Sequence, residues 1–294
     1  KLKKEWGIDI AYSFGPSANM VNVFSKSKGE VWTGVRSYMD MGNPRLIRLF
    51  SRYSDRVLCC SEKIEEEITS RYHCRNAVTL YNPLDVEALK QNAVKEEIRL
   101  PWEDRKNIIV SMGREDDVKG FWHLLKSFSL VQKEITDAKL MIIGEGEFEE
   151  YRTLAKELGV ADEVYFTGMK KNPFPYLHEA RVYVLTSYNE GFPNALVEAM
   201  ALGIPVIATD CLTGPGEILR KGDSSYGVLI PNMSPVKNLK PSEISEEEKR
   251  LADEIKRMLT DREYHETYKK ASAARAGDFS NAGYVERIRK WIGK

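Results

Sequence analysis

RVYVLTSYNEGFPNALVEAMALGIPVIATDCLTGPGE, residues 181–217, carries the clearest fold signal in the chain. It opens with a short β-rich apolar run, which is typical of a buried parallel strand. Gly191 and Pro193 then break the chain. Asn194 stands where a helix cap is expected, and a helical pattern runs from there to Gly203, before a second apolar strand, IPVIAT. The stretch therefore predicts a strand–loop–helix–strand unit whose loop lies at the carboxyl edge of a parallel sheet, where such sheets bind ligands.

Two acidic residues flank the predicted helix start. Glu190 lies in the loop one step beyond the strand, and Glu198 lies one turn into the helix, on the same face as Asn194. Between them the first helical amides, at about Ala195 and Leu196, are expected to be unpaired and to form an anion site suited to a phosphate. This pattern fits a sugar, a diphosphate and a ribose laid end to end. Both acids also fit a simple role in complementing the helix dipole, and spacing alone leaves the two interpretations open.

Cations follow another buried strand at the same expected edge. NIIVSMG ends at Gly113, and Arg114 and Lys119 come next, before a helix predicted from Phe121 to Lys133. An arginine fork and a lysine five residues later can converge on a diphosphate. Without further context, ordinary surface charges are the simpler interpretation of these two residues.

Together these segments resemble the group 1 (family 4) retaining glycosyltransferases. EGFPNALVE, residues 190–198, is similar to the family's Glu-x7-Glu signature, and residues 113–120 resemble its G-R-x(4)-K-G element. The likeness covers essentially all of the chain after about Tyr81, and more faintly the part before it. It implies an α/β protein of two Rossmann-like lobes (GT-B) that binds a nucleotide-diphosphate sugar as donor and needs no metal or other cofactor.

The resemblance also implies a role for each candidate residue. Glu190 would hydrogen-bond the donor sugar and stabilise the positive charge that grows on it. Arg114 and Lys119 would stabilise the departing diphosphate, which completes the set of three catalytic residues. Glu198 would bind the ribose hydroxyls. The remaining donor-binding residues are Asn194, Ala195 and Leu196 at the helix start, Gly113 in the first loop, and Gly168 and Met169 near the nucleotide base.

The resulting hypothesis is a retaining hexosyltransferase of polysaccharide biosynthesis. It would move a sugar from a nucleotide sugar, with a UDP-sugar favoured, to a glycan or lipid-linked glycan acceptor. No second carboxylate is placed for a double displacement, so the acceptor is expected to attack from the face that the leaving group vacates. Many relatives carry a donor-contacting His where this sequence has Arg36, which leaves the choice of sugar open. A nucleotide-sugar epimerase and a non-catalytic nucleotide-sugar-binding module remain as alternatives.

Composition excludes several other classes. The 294 residues are 42% hydrophobic and 30% charged, as in globular proteins of two ordinary domains. Lysine plus arginine equals aspartate plus glutamate, 44 each, which gives no indication of nucleic-acid binding. The four cysteines form no CxxC pair, and the histidines show no metal-ligand spacing. GEGEFE, residues 144–149, begins like a dinucleotide motif, but Glu149 replaces the third glycine and argues against NAD.

The predicted domains are a partial acceptor-side lobe (1–81), a nucleotide-sugar-binding lobe (82–280) and a closing helix (281–294) that packs back on the first lobe. YNPLD, residues 81–85, resembles the family's hinge. The first lobe has few predicted strands and no match to the family's N-terminal Gly-rich loop. Roughly 70–100 upstream residues are therefore expected to be missing, judged from ordinary domain sizes.

The first lobe is locally basic. Residues 1–60 contain ten Lys or Arg and five Asp or Glu, and Arg45, Arg48 and Arg52 recur at helical spacing. This stripe suits an anionic membrane surface or a lipid diphosphate, and a solvated helix face is the alternative. No apolar run has the length of a membrane span, and residues 1–9 lack a signal-peptide core. We expect a cytoplasmic protein, with peripheral contact at the inner face of the membrane if the stripe binds lipid.

Overall fold

Two separate parallel sheets organise the protein. The computed structural model describes residues 2–293, so Lys1 and Lys294, which the predicted first lobe and closing helix include, lie outside the described residues. The first sheet has four parallel strands in sequence order: β1 (Ile10–Phe14), β2 (Glu30–Val35), β3 (Arg56–Cys59) and β4 (Ala77–Thr79).

Helices connect these strands, as parallel pairing requires. They are α2 (Pro16–Phe24), α3 (Pro44–Tyr53) and α4 (Glu62–Tyr72), and the short helix α1 (Leu2–Glu5) precedes β1. Helix α4 begins after Ser61, whose hydroxyl accepts a hydrogen bond from the amide of Ile64, and it ends at His73 in a left-handed conformation. Helix α3 buries Ile47 and Phe50 and exposes its arginines to solvent.

The second sheet has six strands in the order β12-β9-β8-β5-β6-β7, all parallel. Strand order runs in opposite directions from β5, because β6 pairs with one edge of β5 and β8 with the other. This is the topological switch point at which open α/β sheets bind ligands. The strands are β5 (Asn107–Met112), β6 (Ala138–Ile143), β7 (Val164–Phe166), β8 (Val182–Leu185), β9 (Val206–Asp210) and β12 (Val228–Pro231), with a small hairpin of β10 (Arg220–Lys221) and β11 (Ser224–Ser225) between the last two.

Nine α-helices belong to the described residues after 85. They are α5 (Val86–Ala93), α6 (Phe121–Glu134), α7 (Glu149–Glu157), α8 (Phe174–His178), α9 (Asn194–Ala201), α10 (Pro215–Leu219), α11 (Glu246–Thr260), α12 (Arg262–Ala276) and α13 (Asn281–Ile292). The sequence pattern predicts neither β12 nor α7. β12 is only four residues long and ends in proline, and the acids of α7 lie in its first turn, where they complement the helix dipole.

The last helix returns to the first sheet. The indole of Trp291 on α13 packs edge-on against Trp32 of β2, with ring centroids 5.9 Å apart. The guanidinium of Arg287 donates a hydrogen bond to the carbonyl of Thr79 in β4 (3.0 Å). The chain therefore crosses between the sheets twice, while the exact domain boundaries at residues 81 and 280 stay a prediction.

The two lobes also touch directly beside the crossing. The carboxylate of Glu217 on α10 accepts hydrogen bonds from the amide of Glu62 at the start of α4 (2.7 Å) and from the hydroxyl of Tyr81 (3.0 Å). Burial raises the pKa of the Glu217 carboxyl. Gly191 lies against the first lobe so closely that an added Cβ would overlap the carbonyl oxygen of Arg36. A glycine at position 191 is therefore needed for the lobes to approach.

We expect Gly191→Ala to push the lobes apart, because the new methyl group meets backbone and not a flexible side chain. Overpacking of this kind costs about 1–3 kcal/mol where the lobes cannot separate. Small-angle X-ray scattering should show a larger radius of gyration for the variant. Gly42→Ala is the matched control, since a Cβ at Gly42 meets nothing within 4 Å. Equal radii and equal melting temperatures for both variants would contradict the close contact.

Candidate active site

A cavity of about 600 Å³ opens between the lobes at the carboxyl edge of the second sheet. The second lobe contributes the loops after β5 and β8, and the first lobe contributes Arg36, Ser37 and Met39, which follow β2. Seven of the ten predicted site residues line this one cavity: Gly113, Arg114, Lys119, Glu190, Asn194, Ala195 and Glu198.

The other three predicted residues lie elsewhere. Leu196 is fully buried in the core. Gly168 and Met169 follow β7, which β5 and β6 separate from β8, and Met169 is 73% exposed. The next residue, Lys170, lines a different cavity of about 590 Å³. The structure thus does not bring the predicted base-binding residues into the cleft, and their role stays a prediction.

The start of α9 differs from the predicted cap. The helix begins with Asn194 itself after Pro193, and the side-chain oxygen of Asn194 accepts a hydrogen bond from the amide of Asn82 (2.7 Å), not from a helix amide. The prediction that the Leu196 amide is free is wrong, because it donates to the carbonyl of Pro193 (3.1 Å). Within residues 2–293 the amides of Asn194 and Ala195 have no acceptor. The free amides therefore lie one residue earlier than the sequence predicts.

Lys119 and Glu190 form an ion pair across the cavity wall. The ammonium lies 2.7 Å from the carboxylate, and the two side chains are only 23% and 12% exposed. The pair joins the loop after β5 to the loop after β8, so the predicted phosphate ligand and the predicted sugar ligand contact each other directly.

The backbone on each side of this pair is anchored. The hydroxyl of Thr186 donates to the carbonyl of Lys119 (2.8 Å), and Gly120 adopts a left-handed conformation in which an added Cβ would lie 2.5 Å from the carbonyl oxygen of Thr186. The hydroxyl of Thr213 donates to the carbonyl of Glu190. These hydrogen bonds fix the backbone positions from which the side chains of Lys119 and Glu190 extend at the edge of the sheet.

Arg114 is held more loosely. Its guanidinium lies 2.9 Å from the carboxylate of Asp116 and is 73% exposed. An exposed pair of this kind contributes little to stability, so the arginine can change partner at little cost. Arg114 therefore borders the cavity as an exposed cation next to the more buried one, Lys119.

Glu198 is half-buried and has no hydrogen-bond or ion-pair partner in the part of the chain that the structure describes. Burial raises the pKa of its carboxyl to about 7. A smaller cavity of about 260 Å³ adjoins the carboxyl and is also lined by Arg36, Asn82 and Phe192. The sequence predicts only that Asn82 is part of a turn that resembles the hinge between the lobes. The rule that functional side chains follow the ends of parallel strands, applied to β4, could have identified it.

Among residues 2–293, no group of three or more His, Cys, Asp or Glu side chains is arranged to hold a metal ion. In the same described range, no helix has both the length and the apolar character needed to cross a bilayer. Whether the protein works without a metal stays a prediction.

A family model described as "Glycosyl transferases group 1" matches residues 94–275, which is more than half of the 294-residue chain. The chain belongs to the group 1 glycosyl transferases. The resemblance drawn from the two loop motifs is thereby confirmed at the level of the group, and the family 4 subdivision stays a prediction.

Two curated relatives match this group 1 chain over most of its length. An uncharacterized glycosyltransferase of Methanocaldococcus jannaschii is 32% identical over 263 residues, which is 83% of this chain and 63% of that protein. A Campylobacter jejuni protein named N-acetylgalactosamine-N,N'-diacetylbacillosaminyl-diphospho-undecaprenol 4-alpha-N-acetylgalactosaminyltransferase is 27% identical over 308 residues, 99% of this chain and 78% of that one. The chain thus spans less than two thirds of the archaeal relative.

The crystal structure of Anabaena HepE in complex with UDP is similar in fold, with a TM-score of 0.82 at 17% identity. The match covers 99% of this chain and 80% of HepE. It confirms the predicted fold class, an α/β protein of two Rossmann-like lobes in the GT-B arrangement.

We expect Glu198→Gln to stabilise the protein at high pH. The pKa of Glu198 is near 7 in the folded protein and about 4.5 when unfolded, so the folded state holds an extra proton between these values. The free energy of unfolding therefore falls as the pH rises from about 4.5 to about 7. The variant has no titrating carboxyl at this position. Its free energy of unfolding should therefore exceed that of the wild type by up to about 3 kcal/mol at about pH 8.

Urea unfolding at about pH 5 and about pH 8 measures this difference. The difference should shrink to less than about 1 kcal/mol at the lower pH, where Glu198 is protonated in the folded state and about one quarter protonated in the unfolded state. Glu147→Gln is the control, because Glu147 is exposed. A gain from Glu198→Gln that is the same at both pH values would rule out titration of Glu198 as its cause.

Proposed function

We propose that this protein is a retaining glycosyltransferase that uses a nucleotide-diphosphate sugar, with a UDP-sugar as the favoured donor. One observation carries the proposal: the Lys119–Glu190 pair, Arg114 and the free amides of Asn194 and Ala195 converge on one cleft between two lobes. Cations and free amides are what a departing diphosphate requires, and an acid beside them is what a developing positive charge on a sugar requires.

The diphosphate is proposed to bind between Lys119, Arg114 and the start of α9. Its negative charge would compete with Glu190 for the Lys119 ammonium and with Asp116 for the Arg114 guanidinium. Two cations and two amides then take the place that a metal ion has in other transferases, so we propose that no metal is needed. The UDP in the HepE crystal structure supports uridine as the base.

The reaction follows from the same contacts. When Lys119 turns to the phosphates, Glu190 is free to accept a hydrogen bond from the donor sugar and to stabilise its positive charge. The bond from the anomeric carbon to the diphosphate oxygen breaks, and a bond from that carbon to the acceptor oxygen forms on the same face. The acceptor proton passes to the leaving diphosphate. This sequence keeps the anomeric configuration without a second carboxylate.

The acceptor is proposed to be a glycan or a lipid-linked glycan. The Campylobacter relative is named for transfer to a diphospho-undecaprenol acceptor, which supports this proposal. Arg45, Arg48 and Arg52 are exposed on α3 of the first lobe, which supports peripheral contact with anionic lipid at the inner face of the membrane.

We expect Glu190→Gln to lower sugar transfer by about 100-fold or more while nucleotide binding is kept. The amide retains a polar group but loses the charge that stabilises the donor sugar. It also releases Lys119 from its ion pair, so the Kd for UDP should stay equal or fall. Turnover is measured as UDP release with an acceptor, and binding by calorimetry.

Glu147→Gln makes the same charge change at an exposed site and should leave both quantities unaltered. Unchanged turnover in Glu190→Gln would remove this residue from the mechanism. Release of an epimerised sugar without acceptor would favour an epimerase, and nucleotide binding without any turnover of the wild type would favour a binding module.

We expect Lys119→Ala and Arg114→Ala to weaken UDP binding by about 10-fold or more, because each removes a charge-assisted contact to the diphosphate. Binding of uridine, which has no phosphate, should change less than about two-fold. Calorimetric titrations of both ligands test this, with the exposed Lys269→Ala as the control. Equal losses for UDP and uridine would mean that these cations do not bind the diphosphate.

A further inference from the structure

Asn82 carries a polar atom that the protein itself leaves unpaired. The residue follows β4 at the crossing between the lobes and is only 8% exposed. Its side-chain NH₂ donates to the side-chain oxygen of Asn194 (2.7 Å). Its own side-chain oxygen is buried and has no hydrogen-bond partner among residues 2–293.

Such an atom needs an explanation. A buried carbonyl oxygen that has lost its water and gained no donor is costly, and few native side chains carry one. The bond to Asn194 does not relieve this cost, because it uses the nitrogen of the amide and holds the oxygen in place. The Asn82 oxygen is therefore held in place without a donor from the described part of the chain.

The oxygen belongs to a residue that lines the cavity of about 260 Å³ beside Glu198. The carboxyl of Glu198 also has no partner within the described part of the chain, so the two residues that carry unpaired acceptors line the same small cavity. The volume far exceeds the roughly 30 Å³ of one water molecule, which leaves room for a ring-sized group. A ligand that carries neighbouring hydroxyl groups matches this pair of acceptors.

We propose that Asn82 is a donor-binding residue whose side-chain oxygen accepts a hydrogen bond from a hydroxyl group of the nucleotide sugar, next to the group bound by Glu198. The inference rests on the proposed function, since it takes the ligand to be a nucleotide-diphosphate sugar. The hydroxyl belongs either to the ribose or to the transferred sugar, and the two sources are separated by the experiment below.

This contact would connect donor binding to the crossing between the lobes. Two residues after Asn82, Leu84 forms backbone hydrogen bonds to the segment in which the chain returns to the first lobe. Its amide donates to the carbonyl of Phe279 (2.9 Å), and its carbonyl accepts from the amide of Asn281 (3.0 Å). Asn194, the partner of Asn82, is the first residue of α9. A ligand hydroxyl at Asn82 therefore joins the donor to the segment on which the lobes would turn.

The test compares ligands that differ by one hydroxyl. UDP, ADP and GDP are titrated into the wild type by calorimetry. The nucleotide that binds most tightly is called the parent nucleotide. It is then compared with its 2′-deoxy and 3′-deoxy forms and with its glucose ester. For Asn82→Ala we expect about 10-fold weaker binding of the parent nucleotide and less than about two-fold weaker binding of the analogue that lacks the contacted hydroxyl. A penalty confined to the sugar ester assigns the hydroxyl to the transferred sugar.

Asn281→Ala is the matched control. It makes the same change at an exposed residue, so it should retain the wild-type affinity and the wild-type preference for the parent nucleotide over the deoxy form. Melting curves without ligand establish that each variant is folded. Where Asn82→Ala does not fold, the isosteric Asn82→Asp is used, and it should retain the preference because it keeps an acceptor oxygen.

Three results would overturn the inference: equal weakening of every ligand by Asn82→Ala, no weakening of any, or loss of the hydroxyl preference in Asn82→Asp. The first means that Asn82 acts only on the fold, and the second that water satisfies its oxygen. In all three the wild type still binds nucleotide, so the proposed function stands. Failure of the wild type to bind any of the nucleotides would overturn both.

Discussion

The pairing of β5 with β8 is the constraint on which the site depends. These two strands are distant in sequence but adjacent in the sheet, and each ends in a loop that carries one member of the Lys119–Glu190 pair. Strand order reverses direction at this point, which opens a crevice that the first lobe covers. Two further parts of the cleft flank that ion pair. Arg114 precedes Lys119 in the loop after β5, and the start of α9 follows Glu190 in the loop after β8.

The sequence was most informative where the chain is apolar and regular. Parallel strands that are buried on both faces appear in the sequence as continuous apolar runs. The positions of β5, β8 and β9 were therefore predictable to within a few residues, and so were the loops that hold Lys119 and Glu190. A loop following a buried parallel strand has only one edge of the sheet to occupy. That is why most of the predicted site residues meet in one cavity although they are far apart in the sequence.

The sequence was least informative where a side chain selects among several partners. Asn194 has the right residue type for a helix cap, but its side-chain oxygen accepts a hydrogen bond from the side chain of Asn82. The carbonyl of Pro193 accepts from the Leu196 amide instead. No local pattern encodes that competition, because Asn82 lies 112 positions away. The same holds for Glu217, which reads as an ordinary helix acid and in fact bonds to the first lobe.

Lys119 and Glu190 neutralise each other in the cleft, and this has a consequence for catalysis. A charge as buried as that of Glu190 is costly unless it has a partner, and Lys119 is that partner. On the proposed mechanism the diphosphate takes Lys119 away, which leaves Glu190 without a counter-charge until positive charge develops on the donor sugar. The desolvation of Glu190 then favours the transition state over the bound substrate, which is the condition for an interaction to increase the rate of the chemical step.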